Sequence, residues 1–128
     1  MSCPFCEPQV ERELVVDRNE RCVVIDLHHE ILAGSCIIVP KVHRETLFDL
    51  TESEITATFQ LLRAIKAHLD SKLAPDGYNV GWNCGSVAGQ KVPHAHLHVI
   101  PRFRDEPLAG KGIRFWLRQE ANRRPAAV

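Results

Sequence analysis

Residues 94–100 read HAHLHVI, so a histidine stands at every second position: His94, His96 and His98. Successive side chains of a β-strand point to opposite faces, and a strand over this stretch therefore places all three imidazoles on one face. The apolar residues between and after them would line the other face and pack into a core; they are Ala95, Leu97 and Val99. One histidine on a strand is an ordinary polar residue, but three in strict alternation indicate a metal-binding or catalytic site.

Two prolines lie next to this stretch. Pro93 precedes it and is expected to mark the start of the strand. Pro101 follows it, and because proline has no backbone N–H to donate to a sheet, we expect the strand to end there.

Two kinds of chemistry use clustered imidazoles. A three-histidine zinc site of the hydrolase type is one, but same-face neighbours in a strand lie about 6.5–7 Å apart, so three cannot easily converge on one ion. The other is nucleophilic catalysis, in which a neutral imidazole attacks phosphorus and forms a covalent phospho-histidine. His96, with a histidine on each side, is then the nucleophile, and a neighbour such as His98 can donate to phosphoryl or leaving-group oxygens.

The loop GSVAGQ, residues 85–90, leads directly into the histidine stretch. Its small residues allow backbone N–H groups to approach an anion closely. A plain β-turn is the more frequent explanation of such a loop, yet its position before three histidines favours a phosphate cradle. Asn83, at the end of the preceding predicted strand, can add an amide donor, or it can bond its own backbone in the turn.

The N-terminal CPFC, residues 3–6, is a second constellation. A Cys-x-x-Cys pair can be a redox dithiol, half of a zinc site, or simply two cysteines near a chain end. A redox motif normally opens a helix in a βαβ unit, and no such unit is predicted here. The chain has five cysteines, and this odd number argues against a disulfide framework.

Length and composition are those of an ordinary globular domain. The chain has 128 residues, of which 45% are hydrophobic and 25% charged, and 16 basic residues balance 16 acidic ones. This balance gives no reason to expect nucleic acid or a membrane surface as a partner. A cytoplasmic location is the default expectation, since the N-terminus lacks the pattern of a signal peptide.

The pattern of elements predicts an α+β fold with a mainly antiparallel sheet of about five strands and one long helix. Thr51 and Glu54 form a capping-box pattern, and apolar residues at helical spacing extend to about Lys72. Strands are predicted at residues 14–17, 22–27, 35–40, 78–83 and over the histidine stretch.

The stretch VAGQKVPHAHLHVIPRF closely resembles the motif of the histidine triad (HIT) nucleotide hydrolases and transferases, His-x-His-x-His followed by two apolar residues. The resemblance extends upstream through PDGYNVGWN, IIVPKVH and FDLT, while RFRDEPLAGKGIRFW is similar to the tail of bacterial members of the dinucleoside-polyphosphate-hydrolase type. It implies a HIT-like fold and a single domain over residues 1–128, with an N-terminal Cys-x-x-Cys segment (1–10), the histidine triad (94–98) and a C-terminal extension (105–128).

The activity implied by this resemblance is hydrolysis at the α-phosphate of dinucleoside polyphosphates or of adenylylated and phosphoramidate nucleotides, through a nucleotidyl-histidine. The nucleophilic role falls on His96, contact with the phosphate and the leaving oxygen on His98, and orientation of His96 through a backbone carbonyl on His94. A nucleotide-binding signalling or interaction module with little turnover is the alternative, although such a module needs no nucleophile.

Positions that match the nucleotide site of the family are Asn83, Gly89, Gln90, Lys91, Val92 and His98. Lys91 departs from the Ser or Thr of many members, and Ser35 replaces a common histidine. Relatives usually hold the ribose with Asp or Asn at the position of Leu27, whereas Asp26 stands one residue earlier and would need a bulge to face inward.

The resemblance also implies a metal and a partner. Members with this N-terminus complete a structural zinc site with two histidines, so the expected ligands are Cys3, Cys6, His43 and His94. It further implies a homodimer that pairs through the long helix and a sheet edge. Apolar residues of the helix are more numerous than one small core needs, and they include Phe59, Leu62 and Ile65.

Overall fold

A computed structural model describes residues 2–125 and shows an α+β fold. Its antiparallel sheet contains β1 (Leu14–Arg18), β2 (Cys22–Asp26), β3 (Cys36–Pro40), β4 (Gly77–Trp82) and β5 (Leu97–Arg102), in the order β1-β2-β3-β5-β4. The helices are α1 (Glu52–Leu73) and α2 (Arg114–Leu117), with short 3-10 turns at Gln9–Arg12, Leu47–Asp49, Ser86–Ala88 and Glu120–Asn122. The predicted fold, with about five strands and one long helix, is confirmed. Met1 and residues 126–128 of the predicted C-terminal extension lie outside the described part.

The two faces of the sheet are buried by different parts of the chain. Alternate strand residues such as Val24, Ile38 and Leu97 pack against the apolar stripe of α1. The intervening residues of β2 and β3 face the other way and pack against Phe5 and Val10 of the N-terminal segment. Residues close to the chain start are therefore part of the core, next to the face that carries the histidines.

Helix α1 begins where the sequence predicts. Thr51 accepts a hydrogen bond from the Glu54 N–H at 3.1 Å, and the Glu54 carboxylate accepts one from the Thr51 N–H at 2.8 Å, which completes the capping box. The helix ends at Leu73 and is capped by Ala74, whose φ of 48° is left-handed, and Pro75 follows. Across residues 2–125, no helix combines the length and the apolar character that crossing a membrane requires.

The strand predicted over the histidines is shorter at its start and longer at its end. Strand β5 begins at Leu97, so His94 and His96 precede it and only His98 lies within it. It also continues through Pro101 to Arg102. Strand β3 pairs with β5 only as far as Val99, so Pro101 lies where β4 is the single neighbour and no β3 bond is lost. The expected boundaries at Pro93 and Pro101 were wrong, whereas the expected burial of Ala95, Leu97 and Val99 is confirmed.

The left-handed residue at the end of α1 generates a stability prediction. An L-residue in this conformation costs roughly 1–2 kcal/mol, and glycine avoids this cost at the expense of a more flexible unfolded chain. We expect Ala74→Gly to raise the free energy of unfolding by about 0.5–1 kcal/mol, measured by urea denaturation. The same change at the exposed mid-helix Ala64 should lower it by about 1 kcal/mol. Equal destabilisation by both changes would contradict this interpretation.

Candidate active site and metal group

His94 lies at the centre of the site and is fully buried. One ring nitrogen, Nε2, donates to the Pro40 carbonyl at 2.8 Å, because a carbonyl can only accept. The other, Nδ1, lies 3.3 Å from the Cys3 Sγ and 3.5 Å from the Cys6 Sγ. Burial lowers the pKa of His94, so the ring is held neutral with the lone pair of Nδ1 directed at the two sulfurs.

Four side chains from three parts of the chain form a cluster that can hold a metal ion. The ligand atoms of Cys3, Cys6, His43 and His94 all lie within 4.8 Å of one another, and the Cys6 Sγ is 3.2 Å from the His43 Nδ1. A tetrahedral Zn²⁺ with ordinary bond lengths separates its sulfur and nitrogen ligands by about 3.5 Å, so two thiols and two imidazoles at these distances fit such an ion. The Pro40 carbonyl also gives His94 the outer partner that metal-bound histidines usually have.

The thiol protons must leave when a metal binds. Burial, followed by the hydrogen bond and the charge of Cys3, raises the pKa of Cys6 to about 11. Because a metal binds the thiolate, metal binding to this cluster releases protons, and the affinity for the metal rises with pH.

His96 is fixed by the backbone of its neighbour. Its Nδ1–H donates to the His94 carbonyl at 2.8 Å, which leaves the lone pair on Nε2. The ring is largely buried, and the His98 ring lies 4.9 Å away between centroids. Burial, with a smaller contribution from His96, lowers the pKa of His98. His96 thus directs Nε2 away from its backbone partner, and His98 stands beside it.

Phe5 joins the metal cluster to the histidines, and the sequence analysis missed it. Its ring meets the ring of His94 edge-on with centroids 5.9 Å apart, and that of His96 with centroids 5.4 Å apart. The available signal was its position as an apolar residue between the two cysteines of CPFC. When Cys3 and Cys6 are held in place, Phe5 is held against His96.

The glycine loop is closed by its own hydrogen bonds. Gly85 and Gly89 adopt φ values of 91° and 97°, which favour glycine. The backbone N–H groups of Gly85, Ala88, Gly89 and Gln90 all bond within the loop. The expected phosphate cradle would therefore have to use other donors than these four.

Gln90 fastens this loop instead of presenting a free amide. Its Oε1 accepts from the Gly85 N–H at 2.8 Å, and its Nε2 donates to the carbonyls of Glu45 at 2.7 Å and Val92 at 3.0 Å. Asn83 lies directly after β4, and a side chain at Gly89 would contact its amide. Of the other predicted nucleotide residues, Lys91 is exposed and Val92 is half-buried against the cluster around Phe5.

The structure does not bring Asp26 to the histidine face. Asp26 pairs with Cys36, which pairs with Val99, and this row faces α1. Its carboxylate accepts from the His28 N–H at 2.8 Å. Ser35 alternates with Ile37, the partner of His98 in the sheet, and its buried hydroxyl finds no hydrogen-bond partner among the described residues.

Comparison with known proteins agrees with this geometry. Residues 8–105 match the model of the HIT domain. The chain is 38% identical over 72 residues to bis(5′-nucleosyl)-tetraphosphatase [asymmetrical] of Schizosaccharomyces pombe, covering 56% of this chain and 40% of that protein. It is 29% identical over 121 residues to adenosine 5′-monophosphoramidase of the same yeast, covering 88% and 83%. The crystal structure of a Zn-bound histidine triad family protein from Mycobacterium smegmatis superposes with a TM-score of 0.74 at 27% identity, covering 88% of this chain and 83% of that one. The chain therefore belongs to the HIT family and is a hydrolase of that superfamily.

Proposed function

We propose that this hydrolase cleaves nucleotides at the α-phosphate through a covalent nucleotidyl-His96 intermediate. The observation that carries the proposal is the 2.8 Å hydrogen bond from the His96 Nδ1 to the His94 carbonyl. It selects the tautomer in which Nε2 holds a free lone pair, as a nucleophile requires. A module that only binds nucleotides needs no such arrangement.

In the first step, the His96 Nε2 lone pair forms a bond to the α-phosphorus while the bond from phosphorus to the leaving group breaks. The leaving atom keeps the electron pair and takes a proton from the imidazolium form of His98, whose ring lies 4.9 Å from that of His96. The His96 ring gains positive charge, which the His94 carbonyl stabilises by accepting from Nδ1–H.

In the second step, water attacks the same phosphorus and gives a proton to His98. The N–P bond breaks, and its electron pair returns to the His96 Nε2. His94 takes no part in proton transfer, because both of its ring nitrogens are engaged elsewhere. The chemistry thus falls on two imidazoles, and the third holds one of them in place.

Substrate binding is assigned to residues around the loop. The Asn83 amide beside Gly89 and the exposed Lys91 can contact the phosphates. Gln90 shapes this surface through its three backbone bonds, and Val92 borders it. Asp26 has no place in the assignment, since it lies on the α1 side of the sheet.

The names of two relatives support a proposal for the substrate class. One is a bis(5′-nucleosyl)-tetraphosphatase and another an adenosine 5′-monophosphoramidase. Both names describe a bond between a nucleotide phosphate and a leaving group, so dinucleoside polyphosphates and nucleoside phosphoramidates are the substrates we propose.

We also propose that the cysteine–histidine cluster binds a structural zinc ion. Two sulfur and two nitrogen ligands within 4.8 Å suit a closed tetrahedral site, and a structural neighbour is Zn-bound. Bound zinc would supply rigidity: it would hold the N-terminal segment and Phe5 against the triad. The predicted cytoplasmic location, where thiols stay reduced, is consistent with this site.

A homodimer is proposed from the edge at β4. Within residues 2–125 this strand pairs with β5 alone, and it carries no charged residue. Val80 is 47% exposed, and the 43% exposed Phe59 of α1 lies against Trp82. An unpaired edge next to apolar side chains favours pairing with a second copy around a two-fold axis.

Replacing the nucleophile tests the mechanism. We expect His96→Ala to reduce turnover of diadenosine tetraphosphate or adenosine 5′-phosphoramidate by roughly 10³-fold or more, because the covalent step is lost. Nucleotide binding should persist, and mass spectrometry of rapidly quenched wild-type enzyme should detect a nucleotidyl adduct on His96. His68→Ala, which alters an exposed histidine of α1, is the control. Near-normal turnover by His96→Ala would refute the mechanism.

Removal of the two thiols tests the metal site. Protein purified without chelator should contain about one zinc ion per chain. Cys3→Ser combined with Cys6→Ser should lower the zinc content and the Tm, yet leave some activity because the bond between His94 and His96 uses the backbone. Cys84→Ser lies outside the cluster and should change neither quantity. Wild-type protein that is purified without zinc, and whose Tm does not rise when zinc is added, would rule out the site.

Charge at the sheet edge tests the dimer. Wild-type protein at micromolar concentration should give twice the monomer mass by light scattering. Val80→Lys should shift it to monomer, since a lysine of each copy would lose its hydration in the interface. Val16→Lys is a matched control, because Val16 is 48% exposed on the opposite edge strand β1. Monomeric wild-type protein, or equal effects of both changes, would reject the proposed interface.

A further inference from the structure

The backbone between His94 and His96 is held by a carbonyl from outside the sheet. Regular pairing of β3 with β5 begins at Leu97, so these two histidines precede the ladder. The Ala95 N–H donates to the Arg44 carbonyl at 2.7 Å. Arg44 stands next to the metal-cluster residue His43, in the segment between β3 and α1. This segment therefore sets the backbone at the point where the nucleophile is attached.

One peptide group connects Arg44 to the His96 ring. The Ala95 N–H and the His94 carbonyl belong to the same planar unit, whose two polar ends point in opposite directions. On one side the unit donates to Arg44, and on the other it accepts from the His96 Nδ1 at 2.8 Å. Rotation of this plane would misdirect the imidazole. Hydrogen bonds in such a chain also polarise one another, so donation to Arg44 strengthens the carbonyl as an acceptor.

Arg44 is itself fixed by a buried carboxylate. Its Nε lies 3.0 and 3.2 Å from the two oxygens of Glu54, whose side chain is only 4% exposed. Glu54 is held in turn by the Thr51 N–H at the start of α1. The chain of contacts runs from the helix terminus through the ion pair and the peptide group to His96.

We propose that Arg44 and Glu54 form a positioning pair for the reaction, which aligns the His96 imidazole through the His94–Ala95 peptide group. This inference rests on the proposed function. Neither side chain touches the reacting atoms; the pair acts by setting where the carbonyl of Arg44 lies. The competing explanation is that the ion pair only stabilises the start of α1.

Separation of stability from alignment is the aim of the test. Arg44→Met alone leaves Glu54 buried without its cation and should lower stability strongly. Arg44→Met combined with Glu54→Gln removes both charges and should recover most of the lost Tm. If the pair positions His96, this double variant still loses about tenfold or more in kcat with less than twofold change in KM, because a small misplacement of the nucleophile affects only the chemical step.

Lys66→Met is the matched control, since it breaks an exposed ion pair with Asp70 on the same helix. It should leave kcat and KM unchanged. Arg44→Lys, which keeps the charge, should have a kcat between those of the double variant and the wild-type enzyme. A double variant with wild-type kcat would show that the pair serves helix α1 alone, and the inference would fall.

A spectroscopic measurement keeps the inference separate from the proposed activity. In wild-type protein the His96 Nδ1 proton, held by the His94 carbonyl, should appear as a slowly exchanging imidazole resonance in ¹H–¹⁵N spectra. In the double variant it should exchange with water at least about tenfold faster, because the acceptor is no longer fixed. Unchanged exchange would overturn the positioning role even if the enzyme is active. Faster exchange in a protein without turnover would support the pair while the proposed function fails.

Discussion

Every polar atom of His94 has a partner, and the site is organised around this one residue. Its N–H donates to the Val92 carbonyl and its own carbonyl accepts from the His96 ring, while the side-chain Nε2 donates to Pro40 and Nδ1 faces the thiols. In a fully buried position, an unpartnered polar atom would cost about 1–3 kcal/mol, so all four contacts reinforce one arrangement. The cysteine–histidine cluster includes His94, and the His96 ring is hydrogen-bonded to the same residue, so the two cannot move independently.

The three histidines differ in how deeply they are buried. His94 is enclosed, and its lowered pKa keeps it neutral, so its Nδ1 can donate a lone pair to a metal ion or accept a thiol proton. His96 is nearly enclosed but leaves one nitrogen free. His98, within β5, is partly exposed, and burial lowers its pKa as well. Three identical side chains thus acquire different chemical properties from depth and hydrogen bonding alone.

The N-terminal segment belongs to the site although it is far away in sequence. The contact between Cys3 and His94 spans 91 residues, and Phe5 packs against the same sheet face as Ile25 and Ile37. A metal ion at the cluster would close this long loop and restrict the unfolded chain more than the folded one. The start of the chain and the triad are therefore expected to gain order together.

Local patterns in the sequence were sufficient for several features. The two-residue period predicted the burial of Ala95, Leu97 and Val99, and Thr51 with Glu54 predicted the start of α1, because strand alternation and helix capping depend on neighbouring residues only. Resemblance to a family supplied the four metal-cluster residues, which the fold brings within 4.8 Å.

Only the tertiary structure decided where β5 begins and which way Asp26 faces, because strand limits and register depend on the neighbouring strands. Pro40 ends β3, and its carbonyl accepts from the His94 ring, while the Ala95 N–H donates to the Arg44 carbonyl. These groups are therefore not available to extend the β3–β5 ladder back over His94 and His96. The contact of Arg44 with Glu54, and of Phe5 with His96, likewise joins segments that no local spacing relates. The sequence by itself determined which reactive side chains are present. The packing of distant segments determined that the Nδ1 of His96 is hydrogen-bonded and that its Nε2 is left free.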